Sequence, residues 1–304
     1  MKMARQWNPK LSKGIAWTSL VICLGVLTFS VWLLFVPNAH NQSGAPRNGL
    51  IAANAKAGET TQGESDGFLA VLEGNTIQLD SSIHWDTSDS AVADVDKNGV
   101  VTGKMLGTCQ LTSQEECIQL TVRQLEERNG CTYVDGILIV NKSYGLPEDY
   151  NPGLQPVAEA AFEQLCAGAA EEGLNIYDGS DFRDYAYQVK IYNNYCELYG
   201  WEKADTFSAR PGHSEHQTGL TIDCNTIDDA FGETPEAAWL AEHCAEYGFI
   251  IRFPEEKEAI TGYQYEPWHI RYVGVDTAKE IQKYNLTLEE YLGVDSVYAE
   301  PWQG

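Results

Sequence analysis

Two segments far apart in the chain carry half of its six histidines: residues 208–223, SARPGHSEHQTGLTID, and residues 265–272, YEPWHIRY. If both serve one site, the fold must carry them side by side, and that demand restricts the topology more than any other feature of the sequence. A hydrolytic zinc needs three protein ligands of N or O type, an open fourth position and a nearby carboxylate that takes a proton. His216, Asp223 and His269 can supply the ligands and Glu266 the carboxylate. Spacing alone does not decide the matter, because a His followed a few residues later by an Asp is common by chance.

The surrounding text is more specific. SEHQTGLTID and EPWHIRYVG resemble the signatures of the VanY-type D-Ala-D-Ala carboxypeptidases, metallopeptidases that trim the stem peptides of bacterial peptidoglycan. The resemblance implies that His216, Asp223 and His269 bind Zn2+ and that Glu266 is the general base. It runs from residues 134–147, VDGILIVNKSYGLP, through residues 288–292, LEEYL, roughly half of the chain and an ordinary size for one domain.

The family also uses an Arg and a Gln in a segment that here reads DFRDYAYQ, residues 181–188. By that match Arg183 is a catalytic guanidinium on a carboxylate or a developing oxyanion, and Gln188 contacts substrate. Asp181 and Asp184 depart from the small or polar neighbours expected beside this Arg, which keeps a surface salt bridge open as the alternative. Ser214 matches the motif's serine and is implied to donate to substrate or to orient a ligand; a nucleophilic serine would need a base arranged around it. Arg210 and Trp268 are candidates for the cleft lining, with a structural role equally open. His213 falls where the motif is free, His243 within a predicted helix, and His40 and His84 outside the segment, so none is read as a ligand.

Residues 14–36 are uncharged and mainly apolar; at about 1.5 Å per residue, a helix of that length crosses a hydrocarbon core of about 30 Å. Lys2, Arg5, Lys10 and Lys13 precede it, so residues 1–13 are expected in the cytoplasm and everything beyond Pro37 outside. A cleaved signal peptide is the rival, but residues 38–40 match a small-residue cleavage site poorly, and an uncleaved single-pass anchor in a bacterial cell membrane is the favoured reading. All 44 acidic residues follow the run, and the whole chain has a net charge of −24. Such a surface argues against nucleic acid or anionic lipid as partners. Every cysteine except Cys23 lies in the exported part, and none forms a CxxC zinc pattern. Cys109 and Cys117, flanking a predicted hairpin centred on Ser113, are expected to face each other and form a disulfide. Cys224, beside Asp223, reads as core or disulfide.

Residues 37–67 are rich in Asn, Gly, Ala, Ser and Thr and read as a flexible linker. Residues 68–123 then read as short strands separated by polar turns, at 76–79, 83–87, 91–95, 100–102, 109–112 and 118–122. Strands that dense imply a small all-β sandwich. The run WDTSDSAVADVDKNGVVTG from Trp85, followed by Gly107 and Thr108, resembles group 2 bacterial immunoglobulin-like domains, with Trp85 expected in the core. Residues 130–296 read as the catalytic domain. Helical stripes are expected at Val157, Ala161, Leu165 and Ala169 and at Tyr185, Gln188, Tyr192, Tyr195 and Tyr199; a third helix runs from Pro235, capped by Thr234, to Tyr247. Strands are expected at 137–141, 220–224, 249–253 and 269–273. The interleaving is α+β, a central antiparallel sheet flanked by helices, and the resemblance implies the fold shared with lysostaphin-type peptidases and hedgehog proteins.

These readings converge on a membrane-anchored zinc carboxypeptidase, its catalytic domain extracellular, that removes the terminal D-alanine from peptidoglycan stem peptides. The resemblance links that activity to wall remodelling and to glycopeptide resistance. Pentapeptide and tetrapeptide substrates both stay open, as does the oligomeric state. A non-catalytic wall-binding or adhesion protein is the alternative of another class, against which the intact Glu266 argues; a cross-bridge endopeptidase is the third.

Overall fold

The computed structural model describes residues 66–303. The expected cytoplasmic tail, the apolar run and nearly all of the linker lie outside the described residues. Among the described residues no helix is long and apolar enough to cross a membrane.

The first part is all strand: β1 (Gly67–Leu72), β2 (Thr76–Gln78), β3 (Asp86–Thr87), β4 (Ala93–Val95), β5 (Val100–Gly103), β6 (Gly107–Thr112) and β7 (Cys117–Arg123). These make two sheets, ordered β1-β7-β6-β3 and β2-β5-β4. Period-two alternation turns Cys109 and Leu111 of β6 and Ile118, Leu120 and Val122 of β7 inward, where they meet Trp85, Val92 and Val101. Trp85 is core, as the sequence reading has it. Gly103 sits where the sheets touch, since a Cβ there would come within 2.8 Å of Val71 Cγ1.

β1 escapes the sequence reading because its apolar run does not alternate. Both of its faces are buried. Leu69 and Val71 join the sandwich core, while Phe68 and Ala70 join a second core with Tyr291 and Leu292.

The expected Cys109–Cys117 pair is not formed. Cys109 stands opposite Leu120 and Cys117 opposite Thr112, because the turn is centred beyond Ser113: Ser113 N–H donates to Glu116 O at 2.9 Å. All seven described cysteines are free thiols.

A meander of β8 (Leu125–Arg128), β9 (Cys131–Val134) and β10 (Ile137–Ile139) follows. The central sheet is β11 (Asp178–Ser180), β12 (Thr221–Cys224), β13 (Phe249–Ile251) and β14 (His269–Tyr272), ordered β11-β12-β14-β13 and antiparallel throughout. Around it lie α1 (Pro156–Glu171), α2 (Tyr185–Tyr199), α3 (Trp201–Ala204), α4 (Pro235–His243), α5 (Glu258–Thr261), α6 (Val275–Tyr284) and α7 (Leu288–Leu292). The class is mixed α+β.

One face of the central sheet is apolar. Ile222, Ile270 and Phe249 pack against Phe162, Leu165 and Ala169 of α1 and against Leu240 of α4. The buried stripe of α1 runs through Ala158 and Phe162 rather than Val157 and Ala161, and Val157 is half exposed. In α2 only Gln188 and Tyr192 of the expected stripe are buried. Thr234 caps α4 by accepting from Ala237 N–H, but the helix tightens to 3-10 geometry over Cys244–Tyr247 before Gly248 closes it in the left-handed region.

Candidate active site

The other face of the sheet carries the polar cluster. In the β12–β14 ladder Asp223 pairs with His269 and Thr221 with Arg271. Alternation therefore projects all four from one face, with Ile222 and Ile270 on the opposite one. His216 reaches the same face from a 3-10 turn, Glu215–Thr218, that ends at Gly219 with φ 67. A side chain at Gly219 would collide with the Gly153 carbonyl, so the turn's position relative to β12 depends on glycine there.

The three expected ligands come together. Their donor atoms lie within 4.8 Å of one another, and all three residues are buried. His216 Nδ1 is 2.6 Å from Asp181 O, which leaves Nε2 facing the cluster, 3.2 Å from Asp223 Oδ2. His269 presents Nδ1, 3.1 Å from Asp223 Oδ1. The two rings are nearly perpendicular at 89°. His216 Nε2 and Asp223 Oδ1 are buried without a well-aligned hydrogen bond, a costly state that a cation at their centre would relieve. The donor set of two imidazoles and one carboxylate suits zinc.

Glu266 sits at the edge of this cluster, its Oε2 3.4 Å from His269 Nδ1. Pro267 disfavours helix at Glu266, and a turn bond from His269 N–H to Glu266 O at 3.2 Å brings both side chains to the same cleft. Burial pushes the Glu266 carboxyl up to about 7, which suits a group that must take and return a proton near neutrality. Burial also acts against the charge on Asp223, but the two imidazoles outweigh it and hold the carboxyl below its usual range.

Arg183, Gln188 and Ser214 line the same cleft, about 570 Å³ in volume, with Tyr187, Phe253 and Trp268. Asp184 is not the partner of Arg183: its carboxylate caps α2 by accepting from Tyr187 N–H at 2.7 Å. Arg183 instead approaches Asp223, NH1 to Oδ2 3.9 Å, and its Nε is buried without a partner. Gln188 donates from Nε2 to Ala209 O at 2.7 Å, leaving Oε1 unpartnered. Arg210, by contrast, turns away. It forks onto Asp205 at 3.1 and 2.7 Å and stacks 3.8 Å from the Tyr298 ring centroid. His213 lines the cleft, but its Nδ1 is engaged with Asn141 O at 2.8 Å.

Residues 151–275 match the family model described as VanY, D-alanyl-D-alanine carboxypeptidase. A D,D-pentapeptidase VanY from a VanB-type vancomycin-resistance cassette, solved in complex with Zn(II), is 32% identical over 51% of this chain and 97% of that one, with a TM-score of 0.46. Another solved relative, the LdcB LD-carboxypeptidase, is 43% identical over 58% of this chain and 98% of that one, with a TM-score of 0.54. The chain belongs to the VanY family. The putative carboxypeptidase YodJ of Bacillus subtilis is 40% identical over 51% of this chain and 66% of its own length. The chain thus spans just under two thirds of that curated relative.

Three further buried residues of this VanY-family site carry no motif signal in the sequence: Glu215, Arg252 and Arg271. Glu215 Oε1 accepts from Arg252 Nε at 2.8 Å and from Arg271 NH1 at 2.7 Å. Burial works against the charge on Glu215, yet the two guanidiniums hold its carboxyl far below the ordinary range. The signal was present as a charge inside an apolar strand run: Arg252 follows Phe249, Ile250 and Ile251, and Arg271 sits at the alternate position from His269.

Proposed function

We propose that this protein is a zinc-dependent carboxypeptidase that removes the C-terminal D-alanine from peptidoglycan stem peptides. One observation carries the reading: buried, unsatisfied donor atoms of His216 and Asp223 converge with His269, Glu266 and Arg183 in a single cleft. His216 through Nε2, His269 through Nδ1 and Asp223 through its carboxylate would hold the metal. Zinc there would supply Lewis acidity for water and for a scissile carbonyl.

The protein's own groups do the rest. Glu266 takes a proton from the attacking water and returns it to the leaving amine. Arg183, with NH1 near Asp223 and an unpartnered Nε, offers a guanidinium fork to the substrate's terminal carboxylate or to the oxyanion that develops beside it. Gln188 Oε1 and the Ser214 hydroxyl supply an acceptor and a donor for the peptide backbone.

The higher identity to the LD-carboxypeptidase favours a tetrapeptide stem over a pentapeptide. The two-sheet part at residues 68–123, with Trp85 in its core, supports the immunoglobulin-like assignment, and residues 130–296 form the catalytic domain. Residues 14–36, outside the described part, would anchor the protein with its catalytic domain on the outer face of the membrane. Mass spectrometry of synthetic tetrapeptide and pentapeptide stems after incubation with the zinc-loaded protein tests the function. Loss of one D-alanine from either supports it; no cleavage of either, or cleavage only within cross-bridged peptides, rejects it.

A further inference from the structure

The back of His269 needs a partner. Its Nδ1 faces Asp223 and Glu266, so a ring that coordinates through Nδ1 carries its proton on Nε2. Leaving a buried N–H group without an acceptor is costly. His269 Nε2 is buried and has no hydrogen-bond partner. Glu215 Oε2 faces it at 3.8 Å.

Glu215 is held from its other side. Besides the two arginines on Oε1, Thr221 Oγ1 lies 3.4 Å from Oε2. Arg252 spends its remaining nitrogens on Glu289, NH1 at 2.8 Å and NH2 at 2.6 Å, and Arg271 NH2 reaches Leu138 O at 2.6 Å. Arg252 and Arg271 are fully buried, Glu289 is 1% exposed and Glu215 4%. A buried ionic cluster is weak evidence for stability, because desolvation offsets most of the attraction. Its location, directly behind a site histidine, points to a different task.

We infer that Glu215 is the positioning residue of His269: its carboxylate accepts a hydrogen bond from Nε2–H, which fixes the ring with the Nδ1 lone pair turned to the metal position, and Arg252 with Arg271 holds that carboxylate in register. Carboxylates behind metal-bound imidazoles commonly play this part, fixing tautomer and ring orientation. The inference rests on His269 being a ligand, as proposed above.

The test uses the full chain with ¹⁵N-labelled histidine, His269 being assigned by comparison with His269→Ala. In zinc-loaded wild type, His269 should be protonated at Nε2, its proton shifted downfield as for an N–H bonded to a carboxylate. Glu215→Gln should move that proton upfield and weaken zinc binding roughly 10–100-fold in competition with a chromophoric chelator. Glu289→Gln loosens the same cluster on the side away from the ring; it should lower Tm yet leave zinc affinity within about twofold of wild type. Glu215→Gln with wild-type zinc affinity, or equal loss of zinc in both variants, overturns the inference. If Glu215→Gln does not fold, the wild-type spectrum still decides, because His269 protonated at Nδ1 in the zinc-loaded protein excludes the role. A wild type that binds no zinc at all would instead sink the ligand assignment, and this inference with it.

Discussion

Asp223 stands directly opposite His269 in the β12–β14 ladder, with 3.1 Å between Oδ1 and Nδ1. A single antiparallel pair therefore sets two of the three donors, and the third arrives from the turn that leads into β12. Because a slip of one residue would send both side chains to the apolar face, the site is as well specified as the core behind it.

The protein should bind one zinc per chain, and His216→Ala or His269→Ala should abolish it, since a three-ligand site rarely survives the loss of one. Metal analysis of the purified variants is the check. Equal zinc in wild type and both variants would refute the ligand set.

Glu266→Gln should keep its zinc and lose at least ~100-fold in kcat, because the amide cannot accept the proton. Near-normal turnover in this variant would mean that another group is the base.

Arg183→Lys should lower kcat/KM by roughly 10-fold or more at unchanged zinc content, since an ammonium cannot reproduce a forked pair of hydrogen bonds. Amidating the substrate's C-terminus should hurt wild type severely and the variant much less. A similar loss on amidation in both proteins would move Arg183 from carboxylate recognition to the oxyanion or to structure.

Phe68→Ala should destabilise the protein by about 3–5 kcal/mol. The Phe68 ring stacks on Tyr291 at 5.5 Å and 12° and also meets Tyr284 at 5.6 Å, so β1 binds the two-sheet part to α7. Urea unfolding measures the change; a shift below about 1 kcal/mol would show that this contact contributes little.

Much of the catalytic part was legible because its signals are local. Thr234, Pro235 and Gly248 mark the ends of one helical segment through capping and backbone preference. Trp85 reads as core from its strand context. Two readings failed, one for want of a partner remote in sequence and one locally. Val157 and Phe162 cannot be ranked for burial until the sheet that α1 covers is known, and the Cys109–Cys117 pairing failed on the centre of one turn.

By itself the sequence singled out three candidate ligands, His216, Asp223 and His269, and a candidate base, Glu266, because the two motifs that hold them resemble those of a zinc peptidase family. Tertiary structure alone decided what surrounds them. In the sequence Glu215 is an acid between two motif residues, and Arg252 and Arg271 are charges beside or within strand runs. Only the pairing of β12, β13 and β14 brings Arg252, Arg271 and His269 onto one face and lays Glu215 across it. The physical reason is that coordination chemistry is written in residue types, whereas the support behind a ligand depends on which strands pair and in what register, through contacts between segments that no local pattern links.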